Sequence, residues 1–258
     1  MKPLFLLTND DGYQASGLTT LIDIARGFGD VVVMAPEKNA SGQSHSFTVD
    51  YPLYVSTVVK EQGLSVYYCN GKPVDCIKLG VEHFCPRQPD MVLSGINHGS
   101  NSSINILYSG TMGAALEAAT IGIPAIGFSL LDHSAAADFS GSIPYVRSII
   151  DSALKNKMQQ GTALNVNIPA IESDKLKGIR VCRQSKASWL DAYRKVRDQQ
   201  GRDCYWLAGR FQCDDNGEGT DQWALEHGYV SLVPITTDFT DTDSLSKTRC
   251  IYERIFKK

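Results

Sequence analysis

The chain has no long apolar run and almost no net charge. No apolar stretch approaches the ~20 residues that a membrane-spanning helix needs, and the first one, residues 4–7, is shorter than a signal-peptide core. With 25 basic and 28 acidic residues, the formal charge of −3 provides no basic surface for nucleic acid. We therefore expect a cytoplasmic protein that binds neither a membrane nor a nucleic acid polymer.

Paired metal-binding and nucleotide-binding motifs are also missing. The seven cysteines are an odd number without a CxxC pair, and the five histidines show neither HxxxH nor HExxH spacing. These absences argue against a disulfide scaffold and a zinc site, so we expect reduced, mostly buried thiols. Residues 8–17 contain neither GxGxxG nor GxxxxGK[ST], which disfavours a dinucleotide-dependent oxidoreductase.

What is present is an alternation of short apolar runs and helical patterns. Helices are predicted at residues 17–28, 73–85, 111–122 and 142–158, the last with Ser142 as its cap. Two antiparallel strands are predicted within 49–70, and main-sheet strands at residues 4–9, 30–36, 90–97, 123–131, 164–169 and 179–183. The pattern predicts an α/β fold, a Rossmann-like, mostly parallel sheet with helices on both faces.

The composition changes after residue 184. All three tryptophans lie beyond this point, strands are predicted at 205–211 and 229–235, and a terminal helix at about 243–256 places Arg254, Lys257 and Lys258 near its C-terminal end. We interpret residues 1–184 as an α/β catalytic core and residues 185–258 as a C-terminal β-hairpin and helix extension of the same domain. The residues fit an arm that packs on its own subunit as well as one exchanged with a partner.

Polar residues follow the predicted strands at the edge where parallel sheets bind ligands. They are Asn9-Asp10-Asp11-Gly12, Asn39-Ala40-Ser41-Gly42-Gln43-Ser44 and Asn97-His98-Gly99. Two carboxylates ~4 Å apart repel by about 4 kcal/mol at a protein surface, and a divalent cation offsets that repulsion. Oxygen donors suit Mg²⁺, Mn²⁺ or Ca²⁺ rather than Zn²⁺. A solvated Asp-Gly turn is the alternative, but the buried strand before it favours a cation site.

A second candidate is Ser109-Gly110-Thr111, directly before a predicted helix. A helix N-terminus attracts an anion such as phosphate, although an ordinary Ser/Thr cap also explains the triplet. A cation site and an anion site in one crevice together indicate phosphate chemistry. His45 and His98 lie in the same loops, where each could be a general acid or an ordinary polar residue.

Several ordered motifs resemble those of the SurE family (survival protein E). They are Thr8-Asn9-Asp10-Asp11-Gly12, Ala35-Pro36 with Ser41-Gly42-x-Ser44, Gly71-x-Pro73-x-Asp75-Cys76, the stretch from Pro89-Asp90 through Ser94-Gly95-Ile96-Asn97 to Asn101, Tyr108-Ser109-Gly110-Thr111, Gly219-Thr220-Asp221, and Gly228-Tyr229-Val230-Ser231 with Pro234. The motifs extend through most of the chain. The chain departs from the family pattern at His45 and His98, in loops where the family is variable. It also departs at Ser102-Ser103-Ile104 before Tyr108, which bears on substrate preference.

The resemblance implies a metal-dependent phosphomonoesterase that hydrolyses nucleoside 5′- and 3′-monophosphates, with short-chain polyphosphate as a further substrate. It implies one divalent metal per subunit, Mg²⁺ or Mn²⁺ before Ca²⁺, held by Asp10, Asp11, Ser41 and Asn97. It also implies cytoplasmic homodimers or homotetramers that exchange C-terminal elements. Our candidate site has Asp10 and Asp11 as catalytic residues, with phosphate or substrate bound by Asn9, Gly42, Ser44, Asn97, Asn101, Ser109, Gly110 and Thr111.

The favoured mechanism is attack by a metal-activated water with help from one of the two aspartates. An aspartyl-phosphate intermediate is less favoured, because the Asp-x-Asp spacing of haloacid-dehalogenase-type phosphatases is absent. The main rival hypothesis is a non-catalytic nucleotide-binding or regulatory module that retains the crevice without turnover.

Overall fold

The apolar runs of the chain form one central sheet of nine strands. The computed structural model describes residues 2–253, and all ranges below lie within them. The strands of this sheet are β1 (Leu4–Thr8), β2 (Asp30–Pro36), β3 (Val55–Glu61), β4 (Leu64–Cys69), β5 (Met91–His98), β6 (Ala125–Leu130), β7 (Thr162–Ile168), β8 (Ile179–Val181) and β13 (Val230–Thr236). Four shorter strands lie outside it, β9 (Ala187–Leu190), β10 (Tyr193–Arg197), β11 (Asp203–Leu207) and β12 (Arg210–Cys213).

The sheet has the order β3-β4-β2-β1-β5-β6-β7-β13-β8 and is mostly parallel. Antiparallel pairing is confined to β3 with β4 and to β7 with β13. In the centre, Leu6 of β1 lies opposite Val32 of β2 on one side and Val92 of β5 on the other. Every residue of β1 is buried, as expected for a strand with both faces covered.

Helices cover both faces of the sheet and produce two hydrophobic cores. The helices are α1 (Ser16–Arg26), α2 (Pro73–Leu79), α3 (Gly110–Thr120), α4 (Ile143–Lys155), α5 (Asp221–Glu226) and α6 (Thr242–Tyr252). Side chains of α1 and α4 pack with Phe5 and Leu7 on one face, and those of α2 and α3 pack with Leu4 and Leu6 on the other. Because successive side chains of β1 point to opposite faces of the sheet, this strand contributes to both cores.

The strand order places a crevice between β1 and β5. From β1 the chain builds β2, β3 and β4 on one side, and then crosses to β5, β6 and β7 on the other. The loops that leave the carboxyl ends of β1 and β5 separate at this reversal, which is where parallel sheets bind ligands. The confirmed α/β fold thus brings the predicted polar loops to one edge.

Residues 187–213 form a two-stranded ribbon outside the main sheet. Strand β9 pairs with β12 and strand β10 with β11, both antiparallel. Near its tip the ribbon exposes large side chains, among them Tyr193, Tyr205 and Trp206, the last 65% exposed. Trp189 at its base contacts the edge of Phe211 and donates from Nε1 to Asn105 Oδ1 at 2.8 Å.

Several predicted elements differ from the structure. The strand predicted at 205–211 is wrong, because β11 and β12 are separate strands with Ala208 and Gly209 between them. A Cβ on Gly209 would lie 2.9 Å from Asp191 Oδ1, so the chain turns closely against the opposite strand. The strand predicted at 179–183 is β8 at the edge of the sheet, but β13, which comes later in the chain, also joins the sheet and lies between β7 and β8. The division at residue 184 stays a prediction.

Two helix ends also depart from expectation. The helix predicted at 73–85 is α-helical only to Leu79 and continues as a π-helical turn over Gly80–Phe84. Ser142 stands before α4 without capping it, because its hydroxyl donates to the Phe139 carbonyl oxygen instead. The predicted extension of the last helix to residue 256, with Arg254, Lys257 and Lys258, lies outside the described residues.

The cysteines are free, as predicted from their number and spacing. Three of the seven are buried, three are half-buried and Cys250 is exposed, so fewer are buried than expected. Within residues 2–253 no helix combines the length and the apolar character that crossing a membrane requires.

Candidate functional site

The Asp10 carboxylate lies against the N-terminus of α3. Asp10 is 3% exposed, and the Gly110 backbone N–H donates to its Oδ2 at 3.1 Å while the Thr111 hydroxyl donates to Oδ1 at 2.5 Å. A Cβ on Gly110 would lie 2.8 Å from the Asp10 Cβ, so this approach requires glycine at position 110. The N-terminus of α3 therefore binds an anion from the chain itself, the Asp10 carboxylate.

Ser109 begins α3 as its N-cap. Its hydroxyl accepts a hydrogen bond from the Met112 N–H at 3.0 Å, which confirms the capping alternative for this residue. Since the Gly110 N–H is already bound to Asp10, part of the predicted phosphate cradle is occupied by protein groups. Phosphate binding by Ser109, Gly110 and Thr111 stays a prediction.

Asn97, near the end of β5, directs its side-chain oxygen toward the same cluster. Its amide nitrogen donates to the carbonyl oxygens of His98 at 3.2 Å and Gly99 at 2.9 Å, which fixes the orientation of the amide. Its Oδ1 consequently faces the Thr111 hydroxyl at 3.4 Å. Asp10 and Asn97, neighbours across β1 and β5, thus both contact Thr111 with oxygen atoms.

Asp11 belongs to the same loop but has a separate anchor. The backbone N–H of His98 lies 3.2 Å from Asp11 Oδ2, and the ring Nδ1 of His98 lies 3.0 Å from the same oxygen. The Asp11 side chain is 10% exposed, so it is less enclosed than Asp10. The two adjacent carboxylates are therefore held by different parts of the fold.

The loop of residues 37–48 borders this cluster through its backbone. The Ala40 N–H donates to the Asp10 carbonyl oxygen at 2.7 Å, and the Ser44 N–H donates to the Tyr108 carbonyl oxygen at 3.1 Å. Ser41 and Gly42 lie between these two contacts and are exposed. The structure thus brings the Ser41 segment to the aspartates, and ligand binding by Ser41, Gly42 and Ser44 stays a prediction.

A charged group on α3 holds the far end of this loop. Glu117, whose side chain is 10% exposed, accepts from Lys78 Nζ at 2.5 Å and lies 2.9 Å from His45 Nε2. The hydrogen bond from His45, and with it that from Lys78, keeps the pKa of Glu117 below its ordinary value despite burial. A Cβ on Gly113 would lie 2.9 Å from the Ser44 carbonyl oxygen, so α3 and the loop pack closely.

Asn9 and Asn101 occupy different surroundings. Asn9 is fully buried and donates to the Gly12 carbonyl oxygen at 2.9 Å, while its Oδ1 has no hydrogen-bond partner among the described residues. Asn101 joins a buried network with Ser129, Asn165 and Asn167 of β6 and β7. A substrate contact by Asn101 stays a prediction, and its described hydrogen bonds connect the loop to the sheet.

Burial dominates the electrostatics of the pair. It raises the pKa of Asp10 above the ordinary value, the neighbouring Asp11 charge raises it further, and the hydrogen bond from the Thr111 hydroxyl opposes both. Without a positive partner the ionised Asp10 is therefore disfavoured. A bound cation would remove that penalty.

The donors present fit a hard divalent cation. Aspartate carboxylates, the orientated Asn97 oxygen and the unpartnered Asn9 oxygen are all oxygen atoms of the kind that Mg²⁺ and Mn²⁺ prefer. Across residues 2–253, no group of three His, Cys, Asp or Glu side chains is arranged to hold a metal ion, so neutral oxygens would have to complete such a site. Ser41 and Asn97 are residues of that kind.

Sequence reasoning missed the supporting residues of the site. Glu117 is the sole charged residue of α3, a signal that this apolar helix carries a buried ion pair. Asp75 was noted only as part of a motif, yet its carboxylate accepts from the Thr48 N–H and hydroxyl and from the Lys72 N–H. Apart from the Lys72 contact, which is local to the start of α2, these contacts join residues far apart in the chain, and no local pattern indicates them.

The fold and the site define an α/β protein with an oxygen-lined, acidic crevice at the point where the sheet reverses direction. A profile of the family described as survival protein SurE matches residues 5–191. The chain belongs to this family.

Relatives of similar length support the assignment. A Flavobacterium johnsoniae protein named 5′-nucleotidase SurE is 50% identical over 240 residues, which cover 93% of either chain. A Christiangramia forsetii protein of the same name is 48% identical over 241 residues, again 93% of each. The crystal structure of the SurE protein from Aquifex aeolicus superposes with a TM-score of 0.83 at 36% identity, covering 96% of this chain and 99% of that one.

Proposed function

We propose that the chain is a 5′-nucleotidase, a metal-dependent phosphomonoesterase that hydrolyses nucleoside monophosphates to nucleoside and phosphate. The observation that carries the proposal is the convergence of Asp10, Asp11 and the Asn97 oxygen at the crevice of a chain 48–50% identical to proteins named 5′-nucleotidase. Phosphate monoesters hydrolyse extremely slowly in water, so electrostatic stabilisation must supply most of the acceleration.

Asp10, Asp11, Ser41 and Asn97 would hold the divalent cation. When bound, the cation draws electron density from the phosphoryl group and makes a nearby water more acidic. Asp11 is the better candidate to orientate that water and take its proton, because the hydrogen bonds described for it reach only Oδ2. Both oxygens of Asp10 already accept hydrogen bonds from Gly110 and Thr111, which suits a fixed ligand.

The remaining candidates would bind substrate. Thr111 and Asn97 line the cluster, and the exposed Gly42 and the half-buried Ser44 lie in the loop beside it. We assign Asn9, Gly42, Ser44, Asn97, Asn101, Ser109, Gly110 and Thr111 to phosphate or substrate contacts. Mg²⁺ or Mn²⁺ suits the donors best, and Ca²⁺ is the third choice.

The test is phosphate release from AMP and GMP by the purified full chain, with and without Mg²⁺ or Mn²⁺. We expect turnover that EDTA abolishes and either metal restores. Turnover indifferent to the chelator would contradict the metal assignment. Binding of AMP without phosphate release would support the rival, a non-catalytic nucleotide-binding module.

The same assay addresses the finer parts of the proposal. We include nucleoside 3′-monophosphates and short-chain polyphosphate as substrates, on the strength of the family motifs, and each is tested by substitution for AMP under identical conditions. A preference for one base or one ester position would then be read as a ratio of kcat/KM values.

We also propose that the protein is a cytoplasmic homodimer or homotetramer. The exposed aromatic residues Tyr193, Tyr205 and Trp206 of the ribbon support association, because large aromatic side chains favour interface cores. Free cysteines support a reducing compartment. Light scattering coupled to size-exclusion chromatography tests the oligomer, and a purely monomeric mass would contradict it.

A further inference from the structure

His98 places two hydrogen-bond donors on one oxygen of Asp11. Its backbone N–H lies 3.2 Å from Asp11 Oδ2 and its ring Nδ1 lies 3.0 Å from the same atom. An ionised carboxylate only accepts hydrogen bonds, so Nδ1 must carry a hydrogen in this arrangement. The ring is 17% exposed, which shields the contact from most of the solvent.

The surrounding packing fixes the position of the imidazole. The ring meets the buried Phe139 edge-on, with centroids 5.0 Å apart and planes at 85°. The Asn97 amide donates to the His98 carbonyl oxygen, so the backbone at this strand end is also held. Both the ring and the backbone of His98 are therefore held in place, and Nδ1 is held beside Asp11.

The two aspartates differ in what anchors them. Asp10 is held by Gly110 and Thr111 at the start of α3, whereas Asp11 is held by His98 at the end of β5. Adjacent carboxylates repel each other, so an unanchored Asp11 would rotate away from Asp10 in the absence of a cation. An outer hydrogen bond that fixes a ligand's orientation commonly strengthens metal binding about 10–100-fold.

We propose that His98 is a positioning residue: its Nδ1–H holds Asp11 Oδ2, which would leave Oδ1 free for a bound cation or for the attacking water. The inference rests on the proposed function and adds to it a residue outside the four proposed metal ligands. His98 does not touch the reacting atoms in this scheme. It acts by holding the Asp11 carboxylate in place.

Two isosteric variants separate the hydrogen bond from mere packing. In His98→Asn the amide nitrogen lies near the position of Nδ1, whereas in His98→Gln it reaches toward the position of Nε2. His98→Phe retains the ring shape beside Phe139 without any donor. All three variants keep the backbone N–H that also contacts Asp11, so only the side-chain donor is tested.

The measurement is the Mn²⁺ dissociation constant of each full-length variant by titration calorimetry, with Mn²⁺ as the probe. We expect His98→Asn within about threefold of the wild type, and His98→Gln and His98→Phe about 10–100-fold weaker. Thermal unfolding in EDTA should be similar for all four proteins. Equal Mn²⁺ affinity in the wild type and His98→Phe, or an affinity in His98→Asn as weak as in His98→Phe, would overturn the inference, as would absence of Mn²⁺ binding by the wild type.

AMP hydrolysis by the same samples distinguishes the two levels of inference. The Mn²⁺ affinities of the wild type and its variants can follow the expected order while the wild type releases no phosphate. That result contradicts the proposed function and leaves the role of His98 intact. If the wild type hydrolyses AMP but His98→Phe binds Mn²⁺ as tightly as the wild type does, the proposed function is supported and the role of His98 is rejected.

Discussion

At the scale of single residues, the site combines a destabilising charge with fixed donors. Asp10 is buried beside a second carboxylate, and burial raises its pKa because the ionised form loses hydration. Its hydrogen bonds from α3 offset only part of that cost. Such a residue is retained for its chemistry at the expense of the stability of the metal-free fold.

Replacing Asp10 by Asn therefore should have opposite effects on activity and stability. The Asn oxygen can accept from the Gly110 N–H and its amide can donate to the Thr111 hydroxyl, so the neutral side chain fits. We expect Asp10→Asn to nearly abolish AMP hydrolysis, yet to melt about 2–4 °C above the wild type in EDTA, the shift that ~1 kcal/mol produces in a chain of this size. Calorimetric melting in EDTA and in Mn²⁺ checks this.

The metal provides the internal control for that prediction. Mn²⁺ should raise the melting temperature of the wild type and leave Asp10→Asn nearly unchanged, because ligand that binds only the folded state stabilises it. Wild-type turnover by the variant, or a lower melting temperature than the wild type in EDTA, would show that the burial of Asp10 has been misjudged.

At the scale of elements, the loop of residues 37–48 owes its position to α3. Glu117 on α3 binds His45 of the loop and Lys78 of α2, and Gly113 allows close packing one turn earlier. The loop has no regular secondary structure, so these contacts, together with the backbone hydrogen bonds of Ala40 and Ser44, hold the exposed Ser41 segment beside Asp10. We infer that the middle of α3, which carries no proposed site residue, helps to position the loop that carries the proposed ligand Ser41.

Glu117→Gln should weaken this attachment in a pH-dependent way. The pKa of Glu117 is lowered in the fold, so its ionised form adds stability above the ordinary glutamate pKa of ~4.3, and that stability is lost as the pH falls through the lowered value. We expect Glu117→Gln to lose about 1–2 kcal/mol at pH 7, a discounted value because Lys78 and His45 are partly exposed. The difference should shrink steadily below pH ~4.

Urea unfolding in EDTA at several pH values measures this difference. Asp151→Asn is the matched control, since Asp151 pairs with Lys155 on an exposed face of α4 and should lose about 0.5 kcal/mol or less. A Glu117→Gln protein as stable as Asp151→Asn at pH 7, or a difference that does not change with pH, would refute the anchoring role of Glu117.

The elements differ in how well the sequence alone predicts them. Apolar runs such as β2, and the polar residues at strand ends such as Asp10 and Asn97, follow from local periodicity and from the rule for parallel sheets. The turn at Gly209 and the insertion of β13 depend on contacts between distant segments, which no local window records. For the same reason the hydrogen bonds that Gly110 and Thr111 donate to Asp10 do not follow from the sequence, in which this triplet indicates only a helix cap or a phosphate site.

At the scale of the whole molecule, a buried carboxylate connects the C-terminal segment to the core. Asp221, fully buried at the start of α5, accepts from the Ser103 N–H at 2.7 Å, and from the Ser185 N–H at 2.9 Å. The Ser185 hydroxyl and the Gln222 N–H complete the set. Three stretches of chain, around residues 103, 185 and 221, therefore meet at the Asp221 side chain. The first of them precedes Ser109 and α3 in the sequence.

Asp215 is the natural comparison, because it also binds residues 183–186 but near the surface. It accepts two hydrogen bonds from Arg183 at 2.6 Å, and the Arg183 side chain is mostly exposed. Surface ion pairs contribute about 0–1 kcal/mol, whereas leaving a buried hydrogen-bond donor unpaired costs about 1–3 kcal/mol. The two aspartates thus offer similar hydrogen bonding at different burial.

We therefore expect Asp221→Asn to lower the free energy of unfolding by about 1–3 kcal/mol, and Asp215→Asn to lower it by clearly less. The amide at position 221 points a donor at backbone N–H groups that cannot rotate away, and buried donors left unpaired are costly. Urea unfolding at one fixed protein concentration measures both, because association changes apparent stability. Equal losses in the two variants would mean that Asp221 does not link the three segments, and that the C-terminal part is held to the core by apolar packing around Trp223 and Val233 instead.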